Sequence, residues 1–241
     1  MSVAELSSEL LEQISSYTAG MKRNVSIILN TGEHQERNNL KKFLGAVAGA
    51  SERLSIEERD AGNMLRSPIS FSLEVEGEDT GISFSGIPSG HEFNSLILAI
   101  LQSGGVPSKL DESNVAVIKS IDEKLRFEVF VSLNCHNCPD IVQLINQFAL
   151  LNKNIQSEMI DGGLFQDIIA EREITGVPCV YVNGKPFSQG RASSANLIEK
   201  LADFSRDEIE VKTGENDAQD LVVIGAGPAG VSAAIYGARK G

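Results

Sequence analysis

Two cysteines three positions apart, in Cys135-His136-Asn137-Cys138, stand where an extended apolar run gives way to a helical one. Residues 127–131 (Phe-Glu-Val-Phe-Val) read as a strand, and residues 139–151 open on a proline and carry apolar side chains at helical spacing. A pair so placed can close a small disulfide ring at the junction. Unpaired N–H groups and the partial positive charge of the helix start face the first sulfur. Such a setting lowers a thiol pKa and favours the thiolate, the form that attacks disulfides. The motif therefore points to thiol–disulfide exchange. Half of a zinc site is the competing reading. Two sulfurs and His136 leave a tetrahedral site one ligand short, and Cys179 has no partner at paired spacing, so no metal is expected.

The 241 residues suffice for two small domains, each with its own core. Net charge is −12, from 33 acidic and 21 basic residues, which disfavours nucleic-acid and anionic-membrane partners. No apolar run is long enough to span a bilayer. The N-terminus has no basic stretch ahead of an apolar core, so no signal peptide is expected. Leu6, Leu10, Leu11 and Ile14 recur there at helical spacing instead. With three cysteines and no export signal, a reducing, cytoplasmic setting is expected.

The second half reads in a clear order. Strand 127–131 leads to the cysteine pair and its helix. Residues 155–160 alternate as a second strand, and 164–172 form a short helix. Residues 177–182 are a third strand, Asn183-Gly184 signals a type I′ hairpin, and 186–188 start a fourth. A last helix covers 193–202. Asp161-Gly162-Gly163 reads as a turn and helix cap, and Arg191 as a structural or solvated side chain. Strand–helix–strand–helix–hairpin–helix is the layout of a thioredoxin-like module.

The first half repeats that order loosely, with strands at 25–29, 54–57, 69–75 and 81–84, and helices at 37–47 and 92–101. Where the second half has its cysteines, the first has Thr31-Gly32-Glu33-His34-Gln35, so it is expected to keep the fold without the redox pair. The fold class is α/β: a redox-inactive module over 1–111, a module with the cysteine pair over 112–202, and an acidic linker over 203–219. After the linker, an apolar strand at 220–224 runs into Gly225-Ala226-Gly227-Pro228-Ala229-Gly230 and a small-residue helix. That is the setting of a dinucleotide fingerprint, in which the glycines let backbone approach a pyrophosphate. Residues 220–241 are expected to be the first βα unit of a Rossmann-like FAD domain. The next strand and its acidic ribose partner, about 20 residues on, would follow Gly241, so the chain reads as a piece of a longer enzyme and is not expected to retain flavin itself.

Cys135-His136-Asn137-Cys138-Pro139-Asp140, the Gly176-Val177-Pro178 turn, Gly90-His91-Glu92-Phe93 and the GxGxxG start carry a resemblance that covers the whole chain. The sequence resembles the family of the flavoprotein component of bacterial alkyl hydroperoxide reductase. The resemblance implies a relay. Electrons pass from NADH to FAD, to a dithiol in a thioredoxin-reductase-like portion, to the N-terminal pair, and on to a peroxiredoxin, the other component of the same alkyl hydroperoxide reductase system. It makes Cys135 the attacking and Cys138 the resolving cysteine. It places Val177, Pro178, His136 and Asn137 at the partner-binding surface, and the chain's own flavin portion is a second partner. A homodimer formed through the portion after Gly241 is also expected.

Several residues have a plainer reading. An X–Pro bond is ordinarily trans, but the resemblance makes Val177–Pro178 cis, exposing the Val177 backbone to an incoming segment, with Ser67-Pro68 its counterpart in the first half. Glu92, at a helix start, is by default a solvated acid favoured by the helix dipole. The resemblance places it near the redox pair, where a carboxyl can pass protons. Cys179 reads as a buried, inert thiol. His91 and His34 read as surface histidines that nothing pairs. Two other functions compete: a thioredoxin-reductase-like enzyme with a fused glutaredoxin-like arm, and a non-enzymatic redox-sensing module.

Overall fold

In the computed structural model, which describes residues 6–210, helix α1 (Ser8–Thr18) starts at Ser7, whose hydroxyl accepts from the Leu10 N–H at 3.3 Å. It turns Ile14 into the core, with Leu6 and Leu11 at the margin. Then come β1 (Val25–Asn30), α2 (Arg37–Gly49), β2 (Leu54–Arg59), β3 (Ser70–Val75), β4 (Glu78–Ser85) and α3 (Phe93–Ser103). The second half comprises α4 (Glu112–Lys119), β5 (Leu125–Val131), α5 (Cys138–Leu151), β6 (Ile155–Asp161), α6 (Gln166–Glu171), β7 (Cys179–Val182), β8 (Lys185–Gln189) and α7 (Ser194–Glu210).

All eight strands form one sheet in the order β2-β1-β3-β4-β6-β5-β7-β8. Each half contributes the same pattern. A parallel pair, Val25 opposite Leu54 or Leu125 opposite Ile155, is joined by a crossover helix, as parallel pairing requires. An antiparallel hairpin completes each half. The hairpin at Asn183 (φ 50°) and Gly184 (φ 76°) has both central residues left-handed, as a type I′ turn demands.

The halves are joined by main chain. β4 runs parallel to β6, from Ile82 opposite Ser157 to Ser85 opposite Ile160. Each is the outer strand of its own half, so the pairing covers two edges that would otherwise present unpaired N–H and C=O groups. Gly81 marks the start of the join. Its φ is +77°, and a Cβ there would lie 2.8 Å from the Ile155 carbonyl oxygen, so only glycine fits. Helix α5 lies across the join, where Asn146 accepts a hydrogen bond from the Ser157 hydroxyl at 2.7 Å.

The core is continuous between the halves. Phe71 stacks on Phe84 at 5.2 Å in the first, and Phe127 meets Phe148 and Phe187 edge-on in the second. A buried charge network also crosses the join. Arg66, on the loop before β3, donates to Glu158 of β6 and to Glu128 of β5. Arg126 and the Ser85 hydroxyl also donate to Glu158, and Arg172 donates to Glu128 while covering the rings of Phe130 and Tyr181.

The strand and helix order matches the sequence expectation, with differences at the ends. α4 was not expected, and Ile118 is the one core residue it supplies. α3 is preceded by a short 3-10 turn, Gly90–Glu92. α7 continues beyond residue 202, so the first part of the stretch read as a linker is helix. The glycine loop Gly225–Gly230 lies outside the described residues. Among those described, no helix is long and apolar enough to cross a membrane.

Candidate functional site

β5 ends at Val131 and α5 starts at Cys138, so the intervening loop delivers the cysteines to the helix N-terminus. The Cys135 N–H donates to the Ser132 carbonyl at 2.9 Å, curling the loop back on itself. Asn137 stands at the N-cap without a side-chain capping bond, and Pro139 occupies the first turn, where its missing N–H costs nothing. The first-turn N–H groups are therefore left facing the loop.

Cys135 and Cys138 are joined by a disulfide, with Cα atoms 5.5 Å apart. Their burial differs. Cys138 is 0% exposed, whereas Cys135 is half-buried and opens toward solvent. An incoming sulfur can reach only the first of the pair. Cys135 Sγ lies 3.9 Å from the carbonyl oxygen of Val177, and the Val177–Pro178 bond is cis. Ser67–Pro68, the counterpart in the first half, is trans. There a Cβ on Gly32, in the loop that replaces the cysteine loop, would lie 2.8 Å from Cγ of Pro68.

The first half reaches the site through its 3-10 turn. The His91 N–H donates to the Leu133 carbonyl at 3.1 Å. Gly90 (φ +57°) passes so close to the same carbonyl that a Cβ would lie 2.6 Å from its oxygen. The His91 ring packs on the His136 ring, with centroids 4.1 Å apart. His91 was read from the sequence as unpaired, and the structure corrects this. Its partner lies on the other half of the chain, invisible until β4 and β6 are joined. His34 is exposed, and its Nδ1 accepts from the Glu36 N–H in its own loop.

Glu92 is the clearest departure from its plain reading as a solvated acid. It is 0% exposed, and neither carboxylate oxygen has a hydrogen-bond partner. Burial pushes its pKa up to about 7, against a smaller pull from the nearby Ser95 hydroxyl, which lies outside hydrogen-bonding geometry. An acid in that range exchanges protons near neutrality. Cys179 is buried beside Pro178, and burial raises its thiol pKa against the opposing charge of Arg172. Asp161 forms the expected turn, accepting from the Gly163 N–H at 2.9 Å, but it does not cap α6, whose N-cap is Phe165; burial raises its carboxyl pKa as well. Arg191 is exposed. Among the described residues, no group of three or more His, Cys, Asp or Glu is placed to hold a metal ion.

The structure thus gathers Cys135, His136 and Val177 at one site, with Cys138 and Pro178 buried behind them and Asn137 exposed at the edge. It brings the turn carrying Glu92 against the loop that leads to Cys135.

Comparisons with known proteins agree with this arrangement. A thioredoxin domain family model matches residues 125–203. The chain is 40% identical over 236 residues to the alkyl hydroperoxide reductase protein AhpF of Pseudomonas aeruginosa, covering 98% of this chain and 45% of that protein. It is 39% identical to the Escherichia coli protein of the same name, with the same coverage. A Bacillus subtilis relative at 38% identity, over 98% of this chain and 45% of its own length, is called NADH dehydrogenase. The chain therefore spans somewhat under half the length of these curated relatives. Among solved structures, AhpF of Enterococcus faecalis superposes with a TM-score of 0.76 at 30% identity, covering 82% of this chain and 100% of that one. A protein disulfide oxidoreductase from Aeropyrum pernix K1 also gives 0.76, over 85% of this chain and 96% of that one, at 17% identity, which speaks for the fold.

Proposed function

Since this chain belongs to the AhpF family of alkyl hydroperoxide reductase proteins, we propose that it carries the dithiol–disulfide relay of a peroxide-reducing system and passes electron pairs to the disulfide of a peroxiredoxin. The observation that supports this most is the unequal exposure of the two bonded sulfurs, with Cys135 open beside Val177 and Cys138 sealed behind it.

The chemistry balances over two exchanges. In the dithiol form, the Cys135 thiolate attacks one sulfur of the partner's disulfide. That bond breaks, a mixed disulfide forms, and one partner thiolate leaves. Cys138 then attacks Cys135 Sγ, the mixed disulfide breaks, and the second partner thiolate leaves. The partner has gained two electrons, and the chain returns to the disulfide state seen here. The helix start stabilises the Cys135 thiolate. In this reading the Val177 backbone, beside Cys135, aligns the incoming segment as an added strand would be aligned. We assign Glu92 the role of holding and releasing a proton beside the loop during these steps, since its carboxyl changes state near neutrality.

We assign NADH and FAD to a reductase portion of the full-length protein that this chain at most begins, and the name of the Bacillus subtilis relative supports NADH as the donor. The loop Gly225–Gly230 is our candidate for the start of the flavin site. No step above depends on it. The division into modules over 1–111 and 112–202, and a homodimer through the reductase portion, belong to the same proposal.

The test uses the chain reduced with dithiothreitol, freed of reductant and mixed with an oxidised peroxiredoxin. Thiol counting should show about one partner disulfide reduced per chain. Cys135→Ser should abolish transfer, and Cys138→Ser should trap a mixed disulfide. No transfer from the reduced wild-type chain would leave a redox-sensing module as the better reading.

A further inference from the structure

We propose that His91, from the half of the chain without cysteines, is a positioning residue for the redox loop: its ring, packed on His136, holds the segment between Cys135 and Cys138 in the conformation that closes the disulfide. This rests on Cys135–Cys138 being the redox centre and adds that the first half helps set its reduction potential.

Three contacts place the first half on this loop. The His91 N–H bonds the Leu133 carbonyl at 3.1 Å, Gly90 approaches the same carbonyl without a side chain between them, and the two imidazoles lie 4.1 Å apart and tilted by 55°. The first two fix where the 3-10 turn sits. The third reaches into the loop itself, because His136 is the residue after Cys135.

Among the described residues, no ring of the second half does the same for His136. Its side chain is exposed and the His91 ring is the one ring packed on it among the described residues. Asn137 beside it makes no capping bond that would tether the loop from the helix side.

The ring contact is present with the disulfide closed. Closing a ring between two thiols requires their loop to be held, and each group that holds it raises the effective concentration of one thiol toward the other. By linkage, a contact made fully in the closed form and loosened in the open form stabilises the closed form by the difference. His91 therefore favours the disulfide over the dithiol. The contact does not require charge on either ring, because a tilted ring pair persists with a neutral aromatic in place of histidine.

The measurement is the disulfide–dithiol equilibrium of the full chain in glutathione redox buffers at one fixed pH, with a thermal melt of each variant. His91→Ala should make the disulfide easier to reduce by about threefold to tenfold, the size of an aromatic pair contact. That corresponds to about 14–30 mV at 29.6 mV per tenfold. His91→Phe should restore the equilibrium to within about twofold of wild type. His136→Ala probes the same contact from the exposed side without touching the join between the halves, and should shift the equilibrium in the same direction. The double His91→Ala/His136→Ala variant should lie no further than the larger single shift. An unchanged equilibrium in His91→Ala, additive shifts in the double variant, or a His91→Phe chain that melts normally yet stays shifted would each overturn the proposal. Failure of the wild-type pair to cycle with glutathione at all would instead overturn its role as the redox centre.

Discussion

Arg66 grips Glu158 with a two-pronged bond, Nε to Oε1 and Nη2 to Oε2, both at 2.8 Å, across the join between the two halves. Such paired N–H donors match a carboxylate in both charge and geometry. Glu158 is 3% exposed, and burial alone would raise its pKa. Arg66, Ser85 and Arg126 outweigh that and hold the carboxyl below its usual range.

Removing Arg66 should therefore be costly. Arg66→Met leaves Glu158 with Arg126 and Ser85, and Glu128 with Arg172, each buried and short of a donor. A loss of about 3–5 kcal/mol is expected, as for other broken buried pairs, read from urea unfolding near neutral pH. The loss should shrink in acid. A depressed carboxyl contributes stability above its unfolded pKa of about 4.3 and loses it as pH falls through the lower folded value. A loss under about 1 kcal/mol would show that the network is ornamental.

Glu92 has the opposite sign. Its folded pKa is raised to about 7, so the folded chain binds the proton more tightly than the unfolded chain. Its contribution is full below about 4.5 and is lost as pH rises through about 7, a swing of about 3 kcal/mol at 1.36 kcal/mol per unit. Glu92→Gln removes that swing. Unfolding free energies of wild type and variant, followed from pH 4 to pH 8, should diverge in favour of glutamine as pH rises. Parallel curves would mean that Glu92 does not titrate in this range.

Gly90→Ala should loosen the redox loop from a distance. The position needs φ +57°, and the added methyl would meet the Leu133 carbonyl oxygen at 2.6 Å. Left-handed backbone costs a non-glycine residue about 1–2 kcal/mol, before the clash is counted. Melting temperature should fall, and iodoacetamide should modify reduced Cys135 at a changed rate. A melt indistinguishable from wild type would mean that the turn relaxes freely.

Cys179 should take no part in exchange. It is 6% exposed and its thiol pKa is raised. In the native chain after reduction, a maleimide should label Cys135 rapidly and leave Cys179 unlabelled until denaturant is added, with Cys179→Ala cycling as wild type does. Rapid native labelling of Cys179 would contradict its burial.

Local chemistry was legible in the sequence. The cysteine spacing, the strand before it, the proline at the helix start and the Asn183-Gly184 turn all act within a few residues, and all appear where the pattern puts them. What stayed hidden depends on which edges pair. Arg66 and Glu158 are 92 residues apart and meet because β4 lies beside β6. The His91–His136 contact and the complete burial of Glu92 follow from the same juxtaposition, and no periodicity encodes it. Helix α4 was missed for another reason. Asp111 caps it by accepting from the Asn114 N–H at 2.8 Å, but it buries only Ile118, so its apolar pattern is faint.

The shared sheet also settles what kind of motion this unit can make. Parting its halves to swallow a substrate would tear a ladder of main-chain hydrogen bonds and expose Arg66, Glu128 and Glu158 together. A hinge between them would have to break that ladder, so the two halves move as one body and the turn carrying His91 and Glu92 stays beside the redox loop. Like the jaw of a fixed spanner, the unit keeps its gauge, and in the proposed relay selectivity would reside in the shape and approach of the visiting disulfide.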